Sequence, residues 1–332
     1  MLITLLIVIA LALAFDFING FHDTANAIAT SISTRALTPR IAIFYAAILN
    51  FGGALFSSEV AKTVGGSVAN PATIANGVPI VIAALISAII WNLLTWYFGI
   101  PSSSSHTLIG SLAGAVIAGA GLTGVNWGGF GEIVLILILS PIVAFATAFI
   151  IMWLTRQLIV LGGNRSRSKL NRSFRFFQIF SAGLLAFSHG GNDAQKAMGI
   201  IVFALVAMGY QTDMDVPLWV MLAAATAMGV GTSVGGMRII KTVSKKLIKI
   251  EPINGFASDL NSSIVIQTST AMGMPLSTTH VISSSIIGTG AVMRFHDVKW
   301  ATVSRMVMTW FITIPISMVF AFLIYQVVFL FF

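Results

Sequence analysis

The sequence contains no cysteine. Disulfides and thiol chemistry are thereby excluded, and the redox compartment stays undetermined. Charge is scarce too. Only 8% of the 332 residues are Asp, Glu, Lys or Arg, against 57% hydrophobic, and the mean hydropathy is +0.96. A soluble domain carries roughly 25% charge. A chain this poor in charge cannot solvate its own surface in water, so its solvent is largely lipid. A soluble helical bundle would need a polar face on each helix, and residues 80–90 and 133–151 offer almost none. The first apolar run has no basic segment before it and leads directly into a polar motif, so it is expected to be a retained first span, not a signal peptide.

What charge there is falls unevenly. The net charge is +8; six of the eighteen basic residues lie in 156–175 and five more in 238–249. Between hydrophobic spans, such blocks mark cytoplasmic loops and not nucleic-acid contacts.

An internal repeat organises the chain. Gly20-Phe21-His22-Asp23-Thr24-Ala25-Asn26-Ala27 aligns without gaps with Gly190-Gly191-Asn192-Asp193-Ala194-Gln195-Lys196-Ala197. Lys62-Thr63-Val64 aligns with Lys241-Thr242-Val243. Gly99-Ile100-Pro101-Ser102-Ser103-Ser104-Ser105-His106 aligns with Gly273-Met274-Pro275-Leu276-Ser277-Thr278-Thr279-His280. The expected organisation is a first transmembrane repeat over 1–161, a basic cytoplasmic linker over 162–175 and a second repeat over 176–332. Equivalent loops differ in charge. Arg35 and Arg40 in the first half correspond to Asp213 and Asp215 in the second, and the near-neutral 65–76 corresponds to the strongly basic 241–249. Under the positive-inside rule these loops lie on opposite sides of the bilayer, so the repeat is inverted. The fold class expected is an all-α polytopic membrane protein of two inverted-topology repeats with about 10–12 membrane segments. The apolar stretches flanking the polar motifs (2–18 and 27–34, 176–187 and 197–210, 78–98 and 107–122, 253–272 and 281–293) are in several cases shorter than the ~20 residues of a full span. Broken or re-entrant helices are expected there.

Two constellations carry chemistry. Asp23 and Asp193 are matched carboxylates between apolar segments, where an unpaired charge costs several kcal/mol. Each could cap a helix, but two at matched positions favour coordination of a hard cation by oxygen ligands, sodium first among them. Asn26 and Lys196 follow by three residues on the same helical face. Lys196 is expected to pair with Asp193, and Gln195 offers donors to an oxyanion. In the second constellation proline interrupts the incoming helix and Ser or Thr starts the next. A helix start presents free N–H groups and positive dipole to an anion, with the hydroxyls of Ser104, Ser105, Thr107, Thr278 and Thr279 as further donors. His106 and His280 are matched; His22 and His189 are not. Asn50 and Asn92 are read as contacts between helices and Glu59 as a loop residue or a further ion ligand. An intramembrane serine hydrolase needs its catalytic set once, whereas here every candidate is duplicated and no Gly-x-Ser-x-Gly elbow occurs. No enzyme activity and no cofactor are expected.

These motifs resemble those of the inorganic phosphate transporter (PiT) family, whose members carry two inverted copies of a Gly-x-Asn-Asp-x-x-Asn-Ala-like signature. The resemblance spans nearly the whole chain. It implies a multi-pass protein of the cell membrane that imports inorganic phosphate by symport with sodium or protons. By position, Asp23, Asn26, Ser103, Asp193 and Ser277 would be cation ligands, with sodium at Asp23 and Asp193. Ser104, Ser105, Thr107, Gln195, Thr278 and Thr279 would contact phosphate. His22 stands where the signature has Asn, and Gln195-Lys196 where it has Ala-Asn. These departures resemble prokaryotic members, some of which use protons or carry a metal–phosphate complex. An anion channel is the main rival, and the oligomeric state, a homodimer included, stays open.

Overall fold

The computed structural model describes residues 2–74, 76–100, 102–161, 167–234, 240 and 247–332. Among them the secondary structure is helical: α1 (Leu2–Ser33), α2 (Pro39–Ala54), α3 (Glu59–Ser67), α4 (Gly77–Phe98), α5 (Ser104–Ala120), α6 (Trp127–Leu161), α7 (Arg167–Ala207), α8 (Leu218–Val234), α9 (Pro252–Ala271), α10 (Thr278–Arg294) and α11 (Trp300–Val328), with short 3₁₀ turns. Helix is what a lipid-solvated backbone requires, since each N–H and C=O must be satisfied within its own segment. Of the described helices, α1, α4, α6 and α11 are long and apolar enough to cross a bilayer alone. The pair α2 and α3, bent by 73° at its break, is long and apolar enough together for a broken span or a re-entrant loop.

The interruptions follow the sequence at one motif and not at the other. The chain does break at the Ser/Thr motifs. Gly99 ends α4 and Gly273 follows α9, each with positive φ (65° and 67°), a conformation without strain for glycine. Then α5 and α10 start at their Ser-Thr segments and turn back along α4 and α9 as hairpins. The Asp motifs are different. Breaks expected between 18 and 27 and between 187 and 197 do not occur, because α1 and α7 run unbroken through both motifs. Asp23 and Asp193 therefore sit mid-helix and cap nothing. Residues 167–175, expected as linker, form the first turns of α7. Pro101, residues 162–166 and the 241–243 landmark lie outside the described residues.

The halves interlock. Helix α8 packs on α1 as α2 packs on α7, and α5 lies along α11 as α10 lies along α6. Exchanging the two repeats maps each contact onto its partner, as an inverted pseudo-twofold arrangement demands. The central helices α1 and α7 are antiparallel: Thr34 bonds Gln178 at 2.6 Å, and Asn19 bonds Asp193 at 3.3 Å. Signature glycines permit the close crossings. A Cβ on Gly20 would lie 2.5 Å from the Met228 carbonyl, and one on Gly190 would lie 2.2 Å from that of Asn50.

Charge also sorts by end. Arg35, Arg156, Arg175, Lys249 and Arg294 line one vestibule, with Glu251 the one acid among them. The vestibule at the other end, lined by Asn70, Thr73, Thr123, Asn126 and Thr212, has no charge. One apolar cluster takes Leu5–Phe15 of α1, Leu108–Val116 of α5 and Ala194–Leu205 of α7. A second takes Ala25–Ala29 of α1, Leu185–Ala186 of α7 and Val281–Ile287 of α10. Between these two layers lies a belt of buried polar residues.

Candidate functional site

The belt is built where the hairpin tips meet α1 and α7. Residues 16, 19, 22, 23, 26, 192, 193 and 196 and the tip residues 102–106 and 277–280 are all less than 5% exposed. Buried polar atoms at this depth need partners, and here the two halves supply them to each other.

Asp23 accepts a hydrogen bond from the Ser104 hydroxyl on Oδ2 (2.6 Å) and one from the Thr279 hydroxyl on Oδ1 (3.0 Å). His22 Nδ1 lies 2.6 Å from Oδ1, and its Nε2 lies 3.2 Å from the Thr95 hydroxyl, which accepts from Ser102 at 2.7 Å. The Asn26 amide donates to Thr279 at 3.2 Å. Thus half one's carboxylate is held by a hydroxyl from its own hairpin and one from the other half.

Asp193 repeats the pattern in part. Thr278, the repeat equivalent of Ser104, donates to its Oδ2 at 3.1 Å, and Asn19 donates to the same oxygen at 3.3 Å. The other oxygen takes the Lys196 ammonium at 2.5 Å, with both side chains fully buried. In half one the equivalent position is the neutral Asn26. A protein cation therefore stands at Asp193 where half one has a neutral amide. His189 backs this carboxylate, with Nε2 3.4 Å from Oδ2 and Nδ1 3.0 Å from Asn50.

The hairpin tips themselves touch: the Ser105 hydroxyl donates to the Leu276 carbonyl at 2.8 Å, and the His106 and His280 rings lie 4.4 Å apart. Two helix starts, α5 and α10, thus converge on one place. Their first-turn N–H groups lack intrahelical acceptors, and both dipoles turn positive ends toward it, the elements of an anion seat. Ser103 and Ser277 cap these helices, accepting from the His106 and His280 amides, each at 3.2 Å.

Against known proteins, the Phosphate transporter family model matches the chain twice, over residues 19–170 and 162–321. The chain belongs to the phosphate transporter family. Within it, the chain is 53% identical over 318 residues to a Bacillus subtilis protein named "Probable low-affinity inorganic phosphate transporter", covering 96% of this chain and 94% of that one. A Rhizobium meliloti protein of the same name is 42% identical over 309 residues, 92% of this chain and 91% of its own. A solved structure titled "The sodium-dependent phosphate transporter" superposes with a TM-score of 0.88 over 99% of this chain and 100% of that one; at 22% identity it speaks to the fold. The chain is a multi-pass protein of the plasma membrane.

In this family member, Asp23, Asn26, Asp193, Ser104, Thr278 and Thr279 come together as the repeat suggested, and Lys196 pairs with Asp193. Others have different contacts. Gln195 donates to the Gly191 carbonyl (2.6 Å) and accepts from the Ala61 amide (3.1 Å), and Thr107 donates back to the Ser103 carbonyl (2.9 Å). Glu59 is exposed on α3 and pairs with Lys62 at 3.5 Å, away from the belt. Asn19 and Asp16 belong to the belt and went unnoticed in the sequence, because neither is duplicated by the repeat. An acid inside an apolar run was the available signal for Asp16.

Proposed function

We propose that this protein imports inorganic phosphate by symport with a cation, sodium in first place, through alternating access of the two inverted halves. The observation that supports it most directly is the cross-half contact at Asp23. A carboxylate of one repeat is bonded by the hairpin tip of the other, beside two converging helix starts. Any change in the relation of the halves must alter that contact. A cation at Asp23, with Asn26 and the hydroxyls around it as neutral oxygen ligands, would neutralise the acid that otherwise repels phosphate. The anion would then be held by Ser104, Ser105, Thr278 and Thr279 and by first-turn N–H groups. The names carried by the relatives at 42–53% identity and by the structural neighbour accord with this substrate and this ion.

Electrostatics sets the need for coupling. Moving one negative charge inward against ~100 mV costs about 2.3 kcal/mol; two sodium ions accompanying monovalent phosphate reverse the sign. The deciding experiment is radiolabelled phosphate uptake into proteoliposomes under sodium and proton gradients imposed separately. Sodium-stimulated accumulation is expected. Stimulation by protons alone would replace the ion and keep the symport, and equilibration without accumulation under either gradient would leave an anion channel.

A further inference from the structure

The acid Asp16 lies in α1, two turns before Asp23, and the mechanism above makes no use of it. It is fully buried, and neither of its carboxylate oxygens has a hydrogen-bond partner; the Asn19 side-chain oxygen, one turn along the same face, is also without one. Three bare acceptors within one turn of α1 are the reverse of the arrangement at Asp23, whose two oxygens both accept from hydroxyls. A carboxylate at this depth persists only if a cation reaches it.

The neighbours show why Lys196 does not supply that charge. The antiparallel register that pairs Thr34 with Gln178 and Asn19 with Asp193 brings Asp16 opposite Lys196. The ammonium, however, bonds Asp193, and no salt bridge joins it to Asp16. Of the other charged or titratable groups nearby, α7 adds His189, α8 has none, and α4 has only Tyr97 at its far end. The belt thus holds three buried carboxylates, Asp16, Asp23 and Asp193, against one buried ammonium.

We propose that Asp16, with the Asn19 oxygen, binds the second coupling cation, a monovalent ion that Lys196 displaces from the symmetric position at Asp193. This rests on the symport reading given above. The repeat is symmetric in its phosphate-facing parts and asymmetric in its ions: half one keeps a mobile cation at Asp23, and half two has exchanged its own for a tethered one and moved the mobile site one helix across. A proton or a sodium ion would satisfy the same acceptors.

The test compares wild type with Asp16→Asn in proteoliposomes at a clamped potential, under a sodium gradient in one arm and a proton gradient in the other. Phosphate–phosphate exchange is measured alongside. Asp16→Asn is expected to keep exchange and to carry one positive charge fewer per phosphate. At ~100 mV its steady-state accumulation then falls roughly fifty-fold or more in whichever arm drives wild type, since one charge is worth about 2.3 kcal/mol. Wild-type accumulation in a variant that exchanges normally would overturn the proposal; so would a monodisperse variant that has lost exchange, which would make Asp16 part of the phosphate site. If Asp16→Asn does not fold, Asp16→Glu decides: it should keep the coupling ratio with a shifted cation dependence, and an unshifted dependence would overturn the assignment. Wild type that moves no phosphate in either arm would instead sink the symport reading itself.

Discussion

At the scale of residues, the belt combines acceptors that are satisfied, at Asp23 and Asp193, with acceptors that have no hydrogen-bond partner, at Asp16 and Asn19. Asp23 is bonded by two hydroxyls, so its substitutions separate charge from hydrogen bonding. Asp23→Asn keeps the volume and removes the charge; coupled phosphate uptake should fall to background while the protein stays folded. Ser104→Ala removes one charge-assisted bond, worth about 1.5–3 kcal/mol, and should slow initial uptake roughly ten- to a hundredfold. Equal rates for the two variants would mean that the charge at Asp23 is not what couples transport. The buried pair Asp193–Lys196 makes a different prediction. Lys196→Met leaves a carboxylate uncompensated in the interior, which costs about 3–5 kcal/mol, so thermal unfolding in detergent should shift down strongly. Adding Asp193→Asn should restore most of the loss, and a double variant as unstable as the single would refute the pairing. These residues were legible in the sequence for a definite reason: charge in an apolar run is costly, and duplication repeats the signal. Asp16 and Asn19 lacked the second half of that signal. Gln195 is a different case. Its chemistry suits an oxyanion, but the surrounding backbone, at Gly191 and Ala61, takes up both ends of its amide.

At the scale of elements, the sequence was read correctly at one motif and wrongly at the other. Gly99 and Gly273 adopt left-handed φ, and with the Ser/Thr caps that follow they specify helix–break–helix locally, whatever the surroundings. The Asp motifs carry no such punctuation. They looked like gaps because hydropathy measures contact with lipid, and the central stretches of α1 and α7 contact protein instead. A helix in that position can be polar all round and unbroken. What the glycines of these motifs do is permit packing. Gly190→Ala would set a methyl against the Asn50 backbone of α2, where neither helix can yield cheaply. Overpacking of this kind costs about 1–3 kcal/mol, so a lower unfolding temperature is expected. The same substitution at Gly66 of α3, where a Cβ meets nothing within 4 Å, should leave the temperature unchanged or raise it, since Ala favours helix over Gly. Comparable losses at both positions would argue against the tight crossing of α2 and α7.

At the scale of the molecule, inversion joins sequence, fold and transport in one arrangement. The loop charges gave it away, since equivalent positions differ in sign only if they face opposite sides. The fold puts Arg35 in the vestibule with Arg156, Arg175, Lys249 and Arg294, while Asp215 pairs with Lys62 at 3.1 Å. What could not be read was which half's helix packs on which: the interlocking of α5 with α11 and of α10 with α6 depends on long-range packing against α6 and α11, which are largely apolar and carry no periodic signature. The absence of cysteine makes the topology directly measurable, because an introduced thiol has no background. Asn70→Cys and Asp213→Cys should react in intact cells with a membrane-impermeant maleimide. Arg35→Cys and Arg294→Cys should react only after the membrane is opened. Labelling of positions 35 and 213 from the same side would break the inversion, and with it the meeting of the two hairpin tips from opposite faces of the bilayer. Alternating access needs that meeting, because two gates on opposite faces can then be governed by one central contact between Asp23 and Thr279.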